Sequence, residues 1–206
     1  MDTIVDDRLY TKKINLNLTD ITQSANILND LILKKFDPNN ETALLNRAHS
    51  TVEKIKPRPT TTKLFHLYNI LMYPLPELHE LHQEIKEFFY QVNPNRKNKY
   101  YVQCWLNVYH KGDYIDWHGH WVQPDTWHGF YCVNVEPNSS TEYKIPGLDK
   151  NVTVHSLNNL LVIGRGNDLH RTSEWIDDTP RITIAFDIVP RKFIEYNKWL
   201  NHWIPI

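Results

Sequence analysis

The residues best suited to chemistry in this chain are three histidines. His118 and His120 lie two positions apart in Trp117-His118-Gly119-His120-Trp121, and His170 follows fifty residues later. On an extended strand, residues two apart point to the same face, so both imidazoles of the pair can reach one metal ion. Three ligands on one side of a metal leave other positions open, as a substrate-binding catalytic iron requires and a closed structural zinc site does not. The pattern therefore predicts a catalytic metal centre. Three further candidates for ligation are His110, His128 and His155.

Length and composition limit the class of protein. The chain has 206 residues and a formal net charge of -1 at pH 7, which allows one sizeable domain and argues against nucleic acid or an anionic membrane as a partner. Cys104 and Cys132 are too few for a secreted disulfide framework. The acidic start Asp2-Thr3-Ile4-Val5-Asp6-Asp7 does not resemble a signal peptide, and no run approaches the roughly 18 apolar residues of a membrane span. We therefore expect a soluble, cytoplasmic protein.

The first half of the chain predicts helices that follow a short strand. Thr19 or Asp20 can cap the first helix, and apolar residues recur at helical spacing after it. These helices carry no recognisable chemistry, so we interpret them as a brace packed on the back of a sheet. The predicted elements are a strand at 8–18, helices at 19–37, 40–55 and 74–91, and a segment at 62–72 that is ambiguous between helix and strand.

From residue 99 the pattern changes to short strands separated by turns. Such spacing indicates an all-β sandwich or barrel. Strands are predicted at 100–109, 114–121, 127–135, 141–145, 151–155, 160–163 and 181–189, with a short aromatic helix or tail at 191–203. We thus expect a mainly β chain with N-terminal helices (α+β), forming one structural domain. Its parts are an N-terminal strand and supporting helices at 1–98, a β core at 99–190 and a C-terminal tail at 191–206.

The order of motifs in the second half resembles a known enzyme family. The series is Trp105-Leu106-Asn107-Val108, Lys111-Gly112-Asp113, His118-Gly119-His120, Gly129-Phe130-Tyr131-Cys132-Val133, Leu160-Leu161-Val162-Ile163, His170 and Arg181-Ile182-Thr183-Ile184-Ala185-Phe186. Over about residues 100–190 it is similar to the Fe(II)/2-oxoglutarate-dependent oxygenases of the double-stranded β-helix fold, a jelly-roll or cupin-like core. The resemblance implies that His118 and His170 are the first and last iron ligands. It also implies that Arg181 binds the distal carboxylate of 2-oxoglutarate.

Arginine chemistry supports the role implied for Arg181. A guanidinium is always charged and forms a two-pronged pair with a carboxylate. Asn107, Tyr109 and Tyr131 lie on predicted strands and could hydrogen-bond the cosubstrate or an oxygen ligand. The residues that could wall the pocket are Trp105, Trp117, Trp121, Trp127 and Trp175, and those that could meet a substrate at its rim are Arg165, Arg171 and Glu174.

The third iron ligand departs from the commonest pattern of the superfamily. That pattern has two histidines and one carboxylate, and the carboxylate stands two residues after the first histidine, where this chain has His120. Three accounts are open. His120 replaces the carboxylate in a three-histidine site, Asp116 supplies the carboxylate, or His120 only orients the site from outside the ligand set. We favour the first account.

The expected reaction is oxygenation of a C–H bond, that is, hydroxylation by a dioxygenase that uses Fe(II), 2-oxoglutarate and O2. The substrate is a small molecule or a peptidyl group, and the oligomeric state stays open. Two alternatives compete with this interpretation. One is a three-histidine cupin-type metal dioxygenase that does not use 2-oxoglutarate, in which Arg181 has no clear role. The other is a non-catalytic metal-binding or interaction protein.

Overall fold

The regular elements of the chain are ten strands, three α-helices and two short 3₁₀ helices within the described residues. The computed structural model describes residues 2–36, 61–93, 95, 97–123, 125–195 and 202–206. The strands are β1 Asp2–Val5, β2 Leu9–Lys13, β3 Tyr100–Tyr109, β4 Trp127–Asn134, β5 Ser140–Lys144, β6 Val152–His155, β7 Leu160–Arg165, β8 Leu169–Thr172, β9 Arg181–Pro190 and β10 Ile204–Pro205. The helices are α1 Leu18–Lys35, α2 Pro76–Val92 and α3 Arg191–Glu195, and the 3₁₀ helices are Thr61–Leu67 and Ile70–Met72.

The strands form two antiparallel sheets within the part of the chain that the structure describes. The large sheet has the order β1-β2-β7-β4-β9-β3-β10, and the small sheet has the order β6-β5-β8. Strand β9 lies between β3 and β4, and it pairs with β3 from Tyr100↔Pro190 to Tyr109↔Arg181. Every residue of β9 is buried, because both faces of the large sheet are covered. The mainly β architecture confirms the predicted fold class, and the two facing sheets fit a double-stranded β-helix.

Helices α1 and α2 cover one face of the large sheet, as the interpretation of a brace predicts. Their apolar residues belong to the same buried core as the strands. Phe89 of α2, for example, makes edge-on contacts with the rings of Tyr100 in β3 and Trp127 in β4. The cap of α1 is Asn17, whose side chain accepts a hydrogen bond from the backbone N–H of Thr19. The prediction that Thr19 or Asp20 caps this helix is therefore wrong by two or three residues.

Several N-terminal elements differ from their predicted bounds. The strand expected at 8–18 is shorter, and as β2 it joins the large sheet by pairing with β7. The ambiguous segment at 62–72 forms the two 3₁₀ helices. The helix predicted at 40–55 lies outside the described residues. No α-helix within the described ranges is both long and apolar enough to cross a membrane.

The strand predicted at 114–121 is wrong. This segment is irregular and meets β8 through a single bridge, in which the backbone N–H groups of His118 and His170 each donate to the other residue's carbonyl, at 3.0 and 2.8 Å. Its other partners lie at the end of β8 and in loops: the backbone N–H of Thr172 donates to the Ile115 carbonyl, and the N–H of Ile115 donates to the Thr172 hydroxyl, both at 2.9 Å. The backbone hydrogen bonds of this segment are therefore distributed over several partners and do not form a continuous strand ladder. Conversely, β8 was not predicted, although it carries His170.

Candidate metal centre and adjoining cavity

A cavity lies between the two sheets, and most of the chemically interesting residues line it. Strands β3, β4 and β9 of the large sheet supply one wall, and β5 and β8 of the small sheet supply the other. The irregular segment after β3 and the first 3₁₀ helix complete it. Along β9 alternate residues face the cavity because side chains alternate across a strand. These residues are Arg181, Thr183, Ala185 and Asp187.

Three histidines meet at one end of this cavity. One nitrogen from each of His118, His120 and His170 lies within 4.8 Å of the other two, so the three imidazoles are close enough to share one metal ion. The bridge between His118 and His170 fixes the backbones of two of them. His170 is 6% exposed, and its ring centroid lies 4.2 Å from that of His118. The spacing of two residues predicted this convergence correctly, although no strand produces it.

Backbone carbonyl groups fix the tautomers of His118 and His170. Nδ1 of His118 lies 2.8 Å from the carbonyl oxygen of Asp116, and Nδ1 of His170 lies 3.1 Å from that of Asp168. A carbonyl oxygen can only accept a hydrogen bond, so each Nδ1 carries the proton. Nε2 is consequently the nitrogen of each ring that carries a lone pair, so it is the atom that can act as a metal ligand.

His120 is oriented by a carboxylate, which the sequence analysis missed. Its Nδ1 lies 2.5 Å from Oδ1 of Asp187, and the indole N–H of Trp121 donates to Oδ2 of the same carboxylate at 2.9 Å. Asp187 is 6% exposed. A signal existed in the sequence: Asp187 is a charged residue in a strand that is otherwise nearly apolar, and it shares the two-residue alternation of Arg181 and Thr183.

Asp116 does not join the histidine group. Its carboxylate accepts a hydrogen bond from the backbone N–H of Trp117 at 2.7 Å, and it does not line the cavity. Among the described residues, the group of possible ligands consists of the three histidines alone. The geometry therefore gives the alternative third ligand no support.

A fourth histidine lies against the group without belonging to it. The His128 ring stacks on that of His170, with centroids 4.2 Å apart and an interplanar angle of 9°. Burial, followed by the charges of neighbouring histidines, lowers the pKa of both rings well below its usual value. These two rings are therefore neutral at pH 7, as metal binding to His170 requires. The other candidates, His110 and His155, lie outside the cavity.

Arg181 marks a second centre in the same cavity. It is 2% exposed, and its Nε is buried without a hydrogen-bond partner. No carboxylate of the described chain forms an ion pair with it. Burial lowers its pKa, and the nearby Tyr109 ring lies 5.7 Å from the guanidinium carbon. An arginine keeps its charge at neutral pH, so a buried cation faces the cavity without a protein anion.

Polar residues surround this arginine, as predicted for two of the three cosubstrate candidates. Asn107 and Tyr109 both line the cavity. The hydroxyl of Thr62 donates to Oδ1 of Asn107 at 2.6 Å, and the Asn107 amide reaches the Thr183 hydroxyl at 3.4 Å. Burial raises the pKa of Tyr109 to about 12, so its hydroxyl is protonated at neutral pH. Thr62 was not predicted, because it comes from the segment that was ambiguous in sequence.

The third cosubstrate candidate, Tyr131, lies outside the cavity. Its hydroxyl donates to the Oδ1 of Asn159. In β4 it shares a face with Trp127, which packs against Phe89 of α2, because residues at an even spacing in a strand point to the same side. The structure therefore does not bring Tyr131 together with Arg181.

The other predicted wall and rim residues divide in the same way. Trp105 and Trp121 line the cavity, whereas Trp117, Trp127 and Trp175 do not. Arg171 is paired with Glu142 at 2.9 Å, and the guanidinium of Arg165 lies 3.9 Å from the centroid of the Trp127 ring. Glu174 is exposed. None of the three predicted rim residues lines the cavity.

The fold of this chain is similar to the folds of several solved structures. The chain superposes on AviO1 from Streptomyces viridochromogenes Tue57 with a TM-score of 0.58 and 13% identity, over 89% of this chain and 90% of that chain. SnoK is a non-heme α-ketoglutarate-dependent carbocyclase of nogalamycin biosynthesis. The chain superposes on it with a TM-score of 0.57 and 12% identity, over 88% of this chain and 79% of that chain. For the nickel complex of the non-heme monooxygenase ThoJ, the TM-score is 0.51 and the identity 14%, over 89% of this chain and 74% of that chain. The chain has the fold of these three proteins, of which SnoK and ThoJ are described as non-heme enzymes.

The other comparisons either cover a smaller share of the matched structure or find no match. The chain spans 59% of an oxidoreductase of the 2OG-Fe(II) oxygenase family from Burkholderia pseudomallei, at a TM-score of 0.47. It spans 48% of the epimerase SnoN, at a TM-score of 0.39. No protein-family model matches the sequence, and no curated protein does. At identities of 12–14%, the likeness to AviO1, SnoK and ThoJ establishes the fold.

Proposed function

We propose that this chain is an Fe(II)- and 2-oxoglutarate-dependent oxygenase that hydroxylates a small-molecule or peptidyl substrate. One observation carries the proposal: a single cavity holds three convergent histidine nitrogens and a buried, unpaired arginine. When bound, iron and 2-oxoglutarate supply the oxidation, in which O2 is reduced, 2-oxoglutarate becomes succinate and CO2, and a substrate C–H bond is oxygenated. The residues of the chain bind and orient these groups.

The histidine end fits an iron ion with open positions. The donor set is three imidazoles, which suit iron among other transition metals, and among the described residues no thiolate joins them to favour a closed zinc site. Carbonyl oxygens hold the protons of His118 and His170 on Nδ1, so their Nε2 atoms face the metal without rearrangement. Three protein ligands leave room for the cosubstrate and for O2.

The arginine end fits the distal carboxylate of 2-oxoglutarate. A buried cation without an anion is costly unless a ligand supplies the charge, and a guanidinium binds a carboxylate with two parallel hydrogen bonds. Asn107 and Thr183 offer further polar groups beside Arg181. The rings of Phe65 and Trp105 contact each other at a centroid distance of 5.4 Å and an interplanar angle of 50°, and both line the same cavity. This apolar wall excludes water from the reacting groups.

Anaerobic titration with 2-oxoglutarate tests the proposal. Fe(II)-loaded wild type should develop a weak visible metal-to-ligand charge-transfer band, which should weaken in Arg181→Ala. Arg191→Ala is the control, since Arg191 is exposed and the change removes the same charge from the surface. Aerobic turnover of the wild type should release succinate when a substrate is present.

Other outcomes would favour the two alternatives. Iron binding without a band would exclude chelation of 2-oxoglutarate and favour a three-histidine cupin-type dioxygenase that oxidises a directly bound substrate. An absence of iron binding would favour a non-catalytic protein.

A further inference from the structure

We propose that Asp187 is a positioning residue that supplies, from behind His120, the negative charge that a carboxylate ligand would otherwise give the metal. The inference rests on the proposed function in one respect, namely that the three histidines bind a metal. The order of motifs in the sequence gave Asp187 no role, so this inference adds a residue to the site. It also explains how a site of three neutral ligands compensates the charge of the ion.

The hydrogen bonds of Asp187 are specific to this role. One carboxylate oxygen lies 2.5 Å from Nδ1 of His120, and the other accepts from the indole N–H of Trp121 at 2.9 Å. A carboxylate accepts hydrogen bonds and donates none, so the His120 proton stays on Nδ1 and the Nε2 lone pair points into the histidine group. A charged acceptor also makes the imidazole a stronger ligand than a carbonyl acceptor does.

The Trp121 indole is itself held in place, which restricts the carboxylate further. Its ring stacks on Phe193 of α3 at a centroid distance of 6.4 Å, and it meets the Trp203 ring edge-on at 6.1 Å. The C-terminal segment thereby braces Trp121, and Trp121 braces Asp187. Each hydrogen-bonding partner of the carboxylate thus has a fixed position.

The charge of Asp187 has no other strong compensation in the described part of the chain. Its ion-pair partner there is His120, and no lysine or arginine of those ranges reaches it. Burying a carboxylate without a cation is costly. A divalent metal on the far side of the His120 ring would provide that cation. The histidine group and the carboxylate therefore form one unit, with the charge displaced outward by one imidazole.

This arrangement differs from those of His118 and His170. Their Nδ1 atoms donate to backbone carbonyl groups, which fix the rings without adding charge. His120 occupies the position where the commoner iron site has a carboxylate, and it is the ligand with a carboxylate behind it. The substitution of histidine for a carboxylate ligand is thus matched by a carboxylate in contact with that histidine.

Metal affinity of Asp187→Asn tests the proposal directly. The amide has nearly the same shape but lacks the charge and has only one oxygen, so it cannot accept from both His120 and Trp121. Loss of such a partner typically weakens metal binding about 10–100-fold, and we expect that loss for Co(II) and for Fe(II), measured by competition with a chelator. Glu84→Gln is the matched control, because it neutralises a carboxylate paired with Lys12 away from the cavity.

Two readouts separate positioning from a merely structural role. In the metal-free protein, ¹⁵N NMR should show the His120 proton on Nδ1 in wild type and a shift toward Nε2 in Asp187→Asn. The d–d absorption of bound Co(II) should keep its band positions, because the ligand set is unchanged. Shifted bands would instead place Asp187 in the ligand set and overturn the proposal.

A charge-relocation variant guards against misfolding of the single variant. The double variant His120→Asp/Asp187→Asn moves the carboxylate into the ligand position, and we expect it to bind Fe(II) more tightly than either single variant does. Equal affinity of Asp187→Asn and wild type would overturn this inference and leave the proposed function intact. Failure of the wild type to bind any metal would overturn both.

Discussion

The two ends of the cavity are built in opposite ways. At the histidine end the protein itself satisfies every ligand ring: His118 and His170 donate to carbonyl oxygens, and His120 donates to Asp187. At the arginine end a guanidinium that is 2% exposed has a buried Nε without a partner and no ion pair in the described ranges. Within the described residues, the hydrogen bonds of the histidine end are complete, whereas the arginine end keeps a buried donor unused.

The difference fits the ligands that we propose for the two ends. Metal ligands must present one nitrogen in one direction, so their other nitrogen is fixed in advance. A binding site for a carboxylate must keep its donors unused until the ligand arrives, at a cost in stability. Natural proteins break the rule of satisfied buried polar groups mainly at functional sites. The contrast therefore predicts that the histidine end and the arginine end respond differently to mutation.

The largest expected effect comes from comparing His170 with the ring stacked on it. We expect His170→Ala to weaken Co(II) or Ni(II) binding by more than about 100-fold, beyond the loss typical of a partner behind a ligand. The matched truncation His128→Ala should retain binding to within about tenfold, because His128 lies outside the ligand group. Isothermal titration calorimetry measures both. Equal losses would mean that His128 belongs to the ligand set.

Replacing the arginine should have effects of opposite sign on binding and stability. Arg181→Met removes the charged partner of a buried carboxylate, whose loss costs about 2–5 kcal/mol. We therefore expect 2-oxoglutarate affinity to fall by about 100-fold or more. Removal of an unpaired buried charge in favour of an apolar side chain should also raise the free energy of unfolding of the ligand-free protein by about 1–3 kcal/mol.

Calorimetric or spectroscopic titration and urea unfolding measure the two effects of Arg181→Met. Lys150→Met is the control, since it removes an exposed positive charge and should change neither quantity. A ligand-free variant less stable than wild type would show that Arg181 has a structural partner and would remove the contrast between the two ends.

The histidine end should make the metal-free protein sensitive to acid. Burial lowers the pKa of His128 and His170 well below the usual 6.5, so below about pH 6.5 the unfolded chain binds protons that the folded chain does not. Stability then falls as pH falls, by about 1.4 kcal/mol per pH unit for each such proton, until the depressed folded pKa is reached. Two buried rings should together give up to about twice that slope.

Urea unfolding of the metal-free protein between pH 7.5 and 5.5 measures this slope. In His128→Phe one of the two rings is gone, so the slope should fall by up to about 1.4 kcal/mol per pH unit. Burial also lowers the pKa of His82, but that contribution is present in both proteins and cancels in the comparison. A slope unchanged by the substitution would show that His128 is not held neutral by the fold.

Sequence reasoning predicted the parts of the site that depend on order along the chain. The strands β3 and β9 were predicted almost to the residue, because long buried runs alternate or continue without interruption. His118, His120, His170 and Arg181 were predicted to share one site from the order of the motifs, and all four line one cavity. Asn107 and Tyr109 of β3 were predicted as residues that could face the pocket, and both line the cavity together with Arg181.

The misses depend on contacts between distant segments. The segment at 114–121 reads as a strand, but its backbone groups find partners in β8 and in loops. Asp187 orients His120 only because β9 passes beside the histidine segment, 67 residues away in sequence. Tyr131 was assigned to the cavity, but the choice of which β4 face meets the helices depends on how the sheet packs. Sequence spacing contains none of these relations.

The smallest expected effect on ligand binding should be confined to the arginine end of the cavity. Thr62→Val is nearly isosteric, and it removes the hydroxyl that donates to Oδ1 of Asn107 at 2.6 Å. The buried amide oxygen then lacks its donor, so we expect a loss of about 1–3 kcal/mol in the free energy of unfolding. Asn107 also loses its fixed orientation beside Arg181, so 2-oxoglutarate affinity should fall severalfold, while Co(II) affinity should stay unchanged.

The neighbouring residue provides the control for this change. The hydroxyl of Thr61 is also buried and donates to the backbone carbonyl of Leu106 at 2.5 Å, but Thr61 does not line the cavity. Thr61→Val should therefore lower stability by a similar amount without affecting 2-oxoglutarate binding. If Thr62→Val weakened cobalt binding as much as cosubstrate binding, the two ends would be coupled through the first 3₁₀ helix. Affinity losses confined to 2-oxoglutarate would instead show that each end is organised by its own hydrogen bonds.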